Sequence, residues 1–429
     1  MPVPRVGAVP VALRPQAPPG NLVVTLCPNA ALALAALTTL VFVPMMGGMA
    51  AAGFLAAGLA LVLRRAGATL AEARAQAPLW LLALWCLASV IWSDEPALTL
   101  RYGVQLALTF AIAIAMASRL APLNFLKLVL AAYLLAALAS FATGRARSDG
   151  LGFLGIFNSK NALANAASVL LLAGVCLAVD RRLPLRWRLA GAGAAGLGGL
   201  QVLMAHSVGG AVACAAVLGT LAVLLALRRL PPRPRLVAGL IGALAAGLAL
   251  IALVAQIDVL AARFLDATGR DFTLTGRTDL WHIALDEIAH RPLLGAGFQA
   301  VWVRGNPLAE MLWAEFGVES RTGFHFHNAF LSNAVEIGLP AAALQAGLVL
   351  GALGGAVSWV LRDTRAETLF VALYLVRQAV LSLIEVPYFF QFDHTTVLTV
   401  AAIVYVQRAR AARRRAAGSG GGAAGGGRH

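Results

Sequence analysis

Two histidines stand just before one of the longest apolar stretches of the chain, in the segment Gly323-Phe324-His325-Phe326-His327-Asn328. A histidine near its ordinary pKa can accept a proton from a hydroxyl group, so His327 is a candidate general base. Asn328 would then lie at the start of the following helix and is a candidate substrate contact. Two histidines two residues apart also suit a metal ion, but the sequence offers no matching third ligand, so no metal site is expected. An interfacial histidine bonded only to the backbone is the alternative to catalysis.

An arginine stands where a second helix should begin, in the segment Thr273-Leu274-Thr275-Gly276-Arg277-Thr278-Asp279-Leu280-Trp281. Thr278 is a suitable N-cap for a helix that runs to about His290 and is stopped by Pro292. A helix N-terminus offers unpaired N–H groups, and an arginine beside it can fork onto phosphate. Arg277, with Arg270 nearby, is therefore a candidate diphosphate contact. The alternative is an arginine that only fixes the loop by pairing with Asp271 or Asp279.

A third polar group opens another apolar helix. The loop Arg145-Ala146-Arg147-Ser148-Asp149 is followed by Asn158-Ser159-Lys160-Asn161. Polar groups buried at a helix start cost free energy unless they have partners, so Lys160, Asn161 and Arg147 are candidate substrate contacts. The alternative for Lys160 is a side chain that extends to the membrane surface without binding anything.

Membrane helices must position these residues, because the composition fits a bilayer better than water. Of the 429 residues, 60% are hydrophobic and 12% are charged, whereas globular proteins are about 45–50% apolar and about 25% charged. Each spanning helix needs about 20 mostly apolar residues, so the expected fold is an all-α polytopic transmembrane bundle of about 12 spans. The spans are expected at 22–43, 46–63, 78–93, 98–117, 124–142, 158–179, 189–205, 208–227, 236–256, 328–357, 367–386 and 389–407.

Basic residues set the expected orientation in the membrane. When both termini are cytoplasmic, 23 of the 34 Lys and Arg residues fall on the cytoplasmic side. The net charge of +15 is then mostly a topology signal with some attraction to anionic lipid, so no nucleic-acid partner is expected. The predicted organisation is a cytoplasmic tail (1–21), nine helices (22–256), a partly helical periplasmic catalytic loop (257–327), three helices (328–407) and a basic, Gly-rich cytoplasmic tail (408–429).

The remaining basic residues and most histidines lie at the opposite face, which a pure scaffold would not need. They suggest an anionic, lipid-anchored substrate and acid–base chemistry at that face. Of the eleven remaining basic residues, ten lie on or near the outward side and Arg377 lies within a span. The eleven are Arg101, Arg145, Arg147, Lys160, Arg263, Arg270, Arg277, Arg291, Arg304, Arg321 and Arg377, and the outward histidines are His206, His282, His290, His325, His327 and His394.

Few ionisable residues are expected inside the bilayer. Glu336 and Arg377 are predicted to form a structural ion pair, with Glu385 as the other candidate partner of Arg377. Carboxylates are otherwise nearly absent from the middle of the spans, which argues against a proton-coupled transporter.

Four segments together resemble the bacterial O-antigen ligase and polysaccharide polymerase family, over residues from about 78 to about 400. Each alone is a weak signal, but their order and the large loop before the tenth span match that family. They are Trp92-Ser93-Asp94-Glu95-Pro96-Ala97-Leu98-Thr99-Leu100-Arg101, Gly155-Ile156-Phe157-Asn158-Ser159-Lys160-Asn161-Ala162-Leu163, residues 269–281 around Thr-Leu-Thr-Gly-Arg-Thr, and His327-Asn328 followed after nine residues by Gly338.

The resemblance implies a glycosyltransferase that uses neither a metal nor another cofactor. Such proteins take a glycan from a polyprenyl (undecaprenyl) diphosphate carrier at the periplasmic face of the inner membrane and join it to a sugar hydroxyl. Carried over by position, His327 resembles the acceptor base, and Arg277 resembles a diphosphate or leaving-group contact, with Lys160 as another. Many relatives carry a basic residue after the serine that starts the eighth span, but here Val208 follows Ser207. His206 or Arg147 would then replace that phosphate contact.

The lysine–asparagine segment and the Thr-Leu-Thr-Gly-Arg-Thr loop favour a polysaccharide polymerase, whose partners would include a flippase and a chain-length regulator. A ligase that joins the glycan to a lipid A-core acceptor is the close alternative, although Ala341, three residues after Gly338, differs from many ligases. A transporter or flippase is the alternative from another class, and it would show internal repeats and interrupted helices with binding sites at mid-membrane depth.

Overall fold

The computed structural model describes residues 27–147, 150, 152–256 and 277–421, and its regular structure there is helical apart from one β-bridge between Ala146 and Phe153. A short 3₁₀ helix, Ser89–Ile91, follows α5. The α-helices are α1 (Pro28–Val41), α2 (Val43–Met46), α3 (Gly48–Leu63), α4 (Ala66–Arg74), α5 (Ala77–Ala88), α6 (Pro96–Arg119), α7 (Pro122–Thr143), α8 (Lys160–Val179), α9 (Leu185–Ala205), α10 (Val208–Leu227), α11 (Pro232–Ala255), α12 (Arg277–His290), α13 (Pro307–Glu315), α14 (Ala329–Val360), α15 (Ala366–Ser382) and α16 (His394–Gly421).

Several of these helices have the length and composition of membrane spans. Among the described residues five qualify, namely α6, α7, α8, α10 and α14, and a sixth is obtained if α3 and α4, bent by 94°, count as one span. The all-α fold is confirmed, and the protein is a multi-pass membrane protein. A described helix overlaps each of the twelve expected spans. The count of twelve stays a prediction, as do the periplasmic segment and the domain boundaries.

Small residues allow α8 and α9 to pack closely along their length. A Cβ atom added at Gly174 would lie 2.5 Å from the Ala195 nitrogen, and one added at Gly198 would lie 2.6 Å from the Leu171 nitrogen. Glycine at helix contacts is common in membrane proteins, because the hydrophobic effect cannot drive helices together in lipid and close packing has to do so. This contact fixes α8, whose first turn contributes to the site described below.

Helix α14 is broken at Gly338, where φ is +76° and Pro340 follows. The break exposes carbonyl groups that an uninterrupted helix would use internally. The segment 292–299 bonds to these groups: the Ala296 N–H donates to the Val335 oxygen at 2.9 Å, and the Gly297 N–H donates to the Glu336 oxygen at 2.9 Å. The single tenth span expected at 328–357 is therefore two helical pieces, with the segment 292–299 packed against the joint.

We expect Gly338→Ala to lower the amount of folded protein sharply. Its positive φ disfavours any side chain, and an added Cβ would lie 2.8 Å from the Leu294 nitrogen and closer still to the Leu293 carbonyl. The destabilisation should reach at least about 2 kcal/mol. Thermal unfolding and size-exclusion chromatography in detergent would measure it. Gly347→Ala is the matched control on the same helix, because nothing lies within 4 Å of its added Cβ. Equal stability of the two variants would contradict the structural role of the break.

The motif at Trp92–Arg101 also bonds to the segment 292–299. The Trp92 indole donates to the Leu294 carbonyl at 3.0 Å, and the Asp94 N–H donates to the Ala296 carbonyl at 3.0 Å. Asp94 also forms a 2.7 Å ion pair with Arg291, just after the end of α12. This motif therefore serves the structure: it holds the C-terminal end of the helix that carries Arg277 at its start.

The predicted ion pair between Glu336 and Arg377 is wrong. The fully buried Arg377 guanidinium donates to the Ser168 hydroxyl at 2.9 Å and to both the backbone and side-chain oxygens of Asn165 on α8. Glu336 instead accepts the Gln299 N–H at 3.0 Å. The physical reason is that Arg377 faces α8, where neutral oxygens satisfy the cation, whereas Glu336 lies at the helix break beside free backbone donors.

Candidate active site

Glu385, in the loop after α15, is the centre of a polar cluster. Its Oε1 atom lies 3.8 Å from the Arg277 guanidinium and accepts from the Asn161 side chain at 3.2 Å. Its Oε2 atom lies 3.3 Å from Nε2 of His325 and 3.5 Å from Nδ1 of His327. Residues from α8, from α12 and from the loops beside α14 and α15 therefore meet at one carboxylate. Arg277 and His327, fifty residues apart in the chain, are brought together as neighbours of that group.

Two helix starts orient Asn161. The Ser159 hydroxyl caps α8 by accepting the Ala162 N–H at 3.1 Å, which places Asn161 in the first turn. The hydroxyl of Ser207, which caps α10, donates to Oδ1 of Asn161 at 2.9 Å. Because the amide oxygen is occupied in this way, the amide nitrogen faces Glu385.

Arg277 is the first described residue of α12, and its side chain reaches the loop after α15. Its Nη1 group donates to the Ile384 carbonyl at 3.0 Å, and its buried Nε has no hydrogen-bond partner among the described residues. Burial lowers the pKa of Arg277, and the neighbouring Glu385 partly offsets that effect. The guanidinium is anchored at one edge by Glu385 and Ile384. Thr278, predicted to be the N-cap, instead lies inside α12, one residue after Arg277.

The histidine loop, residues 323–328, is held in place by its own backbone and by α12. His327 has a φ of +50°, and its N–H donates to Nδ1 of His325 at 3.0 Å. The Trp281 indole on α12 donates to the Phe326 carbonyl at 2.9 Å. The Asn328 side-chain oxygen caps α14 by accepting two backbone N–H groups, from Phe330 and Leu331. Asn328 thus has a capping role that the sequence did not reveal, and its amide nitrogen is left for the substrate contact predicted from the sequence.

Burial makes His327 a neutral imidazole. Desolvation is the main cause that lowers its pKa to about 4; His325 and Arg277 lower the pKa as well, and Glu385 opposes them. Burial alone would raise the pKa of Glu385, but the two neighbouring histidines lower it well below its ordinary value. The cluster therefore combines a neutral histidine, an ionised carboxylate and an arginine cation, which is a suitable set for proton transfer next to a developing anion.

The same cluster has the spacing of a metal site, because one possible ligand atom from each of His325, His327 and Glu385 lies within 4.8 Å of the others. Glu385 is the third group that the sequence did not reveal. In the structure, Nδ1 of His325 accepts the His327 N–H, so Nε2 is the ring nitrogen of His325 that faces Glu385. The expected absence of a metal site therefore stays a prediction.

The remaining predicted contacts gather beside Asn161. Lys160 is half-buried at the start of α8. The loop before it lies against the end of α9: the Phe153 N–H donates to the Met204 carbonyl at 2.9 Å, and the Arg147 N–H donates to the Gly152 carbonyl at 3.0 Å. His206 is exposed just after α9, next to the Ser207 that bonds Asn161. The Lys160 and Arg277 regions are thus joined through Asn161 and Glu385. Arg270 lies outside the described residues.

Comparison with known proteins places this chain in a family. A family model described as O-antigen ligase matches residues 193–346. The exopolysaccharide production protein ExoQ of Rhizobium meliloti (strain 1021) is 33% identical over 327 residues, which cover 72% of this chain and 73% of that protein. The chain belongs to the O-antigen ligase and polysaccharide polymerase family. The resemblance inferred from the four segments is confirmed. Membership of this family supports the conclusion that the protein is a membrane enzyme of polysaccharide or exopolysaccharide biosynthesis.

For this member of the O-antigen ligase family, Glu385 is the important residue that the sequence analysis missed. It was considered only as a partner for Arg377, and it lies outside the matched residues 193–346. A signal was available: Glu385 is a lone carboxylate that follows an apolar helix and precedes Pro387. Because two expected spans, 328–357 and 367–386, lie between His327 and Glu385, the predicted topology puts Glu385 at the same membrane face as the two histidines.

Proposed function

We propose that the protein is a periplasm-facing, inner-membrane glycosyltransferase that moves a glycan from a polyprenyl-diphosphate carrier to a sugar hydroxyl and thereby polymerises exopolysaccharide repeat units. Membership of the family supports the membrane and polysaccharide context. The observation that carries the proposal is the convergence of neutral His327 and cationic Arg277 on Glu385. One residue can accept a proton and the other can stabilise a leaving anion.

The proposed reaction is a single displacement at the anomeric carbon of the donor glycan. The acceptor hydroxyl gives its proton to His327 while its oxygen attacks the anomeric carbon of the donor glycan. The bond between that carbon and the diphosphate oxygen breaks, and its electron pair leaves with the polyprenyl diphosphate. Arg277 faces the negative charge that develops on this oxygen, where a fixed cation is worth most. No sugar nucleotide takes part in the reaction.

The donor side of the site is proposed to include Lys160, Arg147, His206 and Arg270. A diphosphate carries several negative charges, and cations on both sides of Asn161 would suit it. Lys160 and Arg277 reach this region from different helices, α8 and α12. Membrane lipid is the solvent for the polyprenyl tail, which would lie between apolar helices.

Polymerisation is favoured over ligation because the relative ExoQ is named an exopolysaccharide production protein. Ligation to lipid A core is the second candidate, since the matching family model is described as O-antigen ligase. Transport has weaker support. The broken helix α14 resembles a transporter feature, but the segment 292–299 already occupies its free carbonyl groups at Val335 and Glu336.

A transfer assay with purified protein distinguishes these functions. The assay supplies a polyprenyl-diphosphate-linked repeat unit without any other acceptor. We expect a ladder of longer lipid-linked glycans, resolved by gel electrophoresis and mass spectrometry. Product that forms only after lipid A core is added would identify a ligase. No transfer to either acceptor would contradict the proposal and favour a transporter.

A further inference from the structure

Glu385 contacts both halves of the proposed machinery through different oxygen atoms. Oε1 faces Arg277 and Asn161, whereas Oε2 faces His325 and His327. The inference drawn from this arrangement rests on the proposed function and adds the role of one residue to it. The question is which nitrogen of His327 holds the ring proton, because only the other nitrogen can act as a base.

The proton of His325 is assigned by its neighbours. Its Nδ1 atom accepts the backbone N–H of His327 at 3.0 Å, so Nδ1 has no proton. In the neutral ring the proton is then on Nε2, which lies 3.3 Å from Oε2 of Glu385. His325 therefore donates to the carboxylate and fixes the backbone of His327 at the same time.

The proton of His327 follows from electrostatics. Its Nδ1 atom is buried, lies 3.5 Å from the same Oε2 atom and has no hydrogen-bond partner among the described residues. A lone pair facing an ionised carboxylate is repelled, whereas an N–H facing it is attracted. We propose that Glu385 is a positioning residue that keeps the ring proton of His327 on Nδ1, so that Nε2 is the nitrogen that takes the proton of the acceptor hydroxyl.

This assignment also accounts for the charges during the reaction. When Nε2 takes the proton, His327 becomes a cation whose Nδ1–H still faces Glu385. The carboxylate keeps its own charge and stabilises the imidazolium, and the proton leaves Nε2 for water after the glycan has been transferred. Because Oε1 of the same carboxylate holds Arg277, the base and the leaving-group cation keep a fixed separation.

The test is Glu385→Gln, which changes one oxygen to an NH₂ group without changing the size of the side chain. Arg277 requires an acceptor, so the amide oxygen should stay near Arg277 and the NH₂ group should face the histidines. That group donates to Nδ1 of His327, which moves the ring proton to Nε2 and blocks the base. We expect kcat to fall about 10- to 100-fold, with the acceptor KM changed less than about threefold.

Two further variants separate positioning from simple support of the fold. Glu385→Asp keeps the charge and should recover part of the lost kcat. Glu310→Gln makes the same chemical change at a surface carboxylate paired with Arg321 at 3.3 Å, and its kcat should match that of the wild type. Thermal unfolding of each variant checks that it is folded.

The pH profile is the second measurement. Glu385 raises the pKa of His327, whereas His325 and Arg277 lower it. The acid limb of the Glu385→Gln profile should therefore move to lower pH than that of the wild type. A wild-type kcat in Glu385→Gln, or equal losses in Gln and Asp variants with an unchanged profile, would overturn the inference. A wild-type protein that transfers no glycan would overturn the proposed function itself.

Discussion

Replacement of His327 by alanine is expected to lower kcat for glycan transfer by about 10²- to 10⁴-fold, the usual contribution of a positioned general base. The residue has the geometry for that role: it is largely buried, its Nδ1 atom lies 3.5 Å from Glu385, and the centroids of the His325 and His327 rings are 4.3 Å apart. The donor KM should change little, because the imidazole is neutral and offers no charge to the diphosphate. Initial rates with a purified lipid-linked repeat unit would measure both constants.

The same residue sets the acid side of the pH profile. A lowered pKa keeps the basic form of His327 at pH values above about 4, and that form is lost as the pH falls through this value. Glu385, His325 and Arg277 are the charged or titratable groups that act on it. The wild-type protein should therefore remain active at pH 5.5, where a histidine with an ordinary pKa of about 6.5 is about nine-tenths protonated.

His282→Ala is the matched control, since His282 is an exposed histidine on α12. Its kcat and its pH profile should equal those of the wild type. Full activity in His327→Ala would remove this histidine from the mechanism. An acid limb near pH 6.5 would show instead that the working base is a solvated group.

Replacement of Arg277 by alanine should lower kcat/KM for the lipid-linked donor by about 10²- to 10³-fold, the loss typical of removing one fixed group that stabilises a developing anion. Lysine at this position should recover only part of the rate. It retains a charge but cannot bond Glu385, the Ile384 carbonyl and a phosphate oxygen with one planar group.

Product inhibition gives an independent measurement for Arg277. Polyprenyl diphosphate, added as an inhibitor, should bind more weakly to Arg277→Ala than to the wild type. Arg304→Ala is the control, because Arg304 is exposed and lies between α12 and α13. Equal inhibition of wild type and Arg277→Ala would mean that this arginine does not contact the leaving group and only supports Glu385.

The helices and the candidate residues of the site could be predicted from the sequence because both leave local signals. Long apolar runs predict helices whatever their neighbours are, and each expected span overlaps a helix. His327, Arg277 and Asn161 stood out as polar residues beside apolar runs, and all three contact Glu385. Such signals depend only on a few neighbouring residues.

Pairing between helices could not be predicted, because it depends on how each helix is rotated and how deep it lies. Arg377 illustrates this point. Its charge suggested a carboxylate partner, but its face of α15 lies against Asn165 and Ser168, and neutral oxygens surround it. A guanidinium with several good acceptors needs no counter-ion to be satisfied. The central role of Glu385 was missed for the same reason, since its partners come from three separate parts of the chain.

The break in α14 divides the helix into parts with different attachments. The part before Gly338 is bonded to the segment 292–299, which is bonded in turn to the loop at Trp92 and Asp94. The histidine loop is therefore connected through these bonds to α12 and to that early loop, whereas the rest of α14 packs against α15 and α16. The candidate site therefore lies where these bonded segments, which carry Arg277 and His327, meet α8 and α15, which position Asn161 and Glu385.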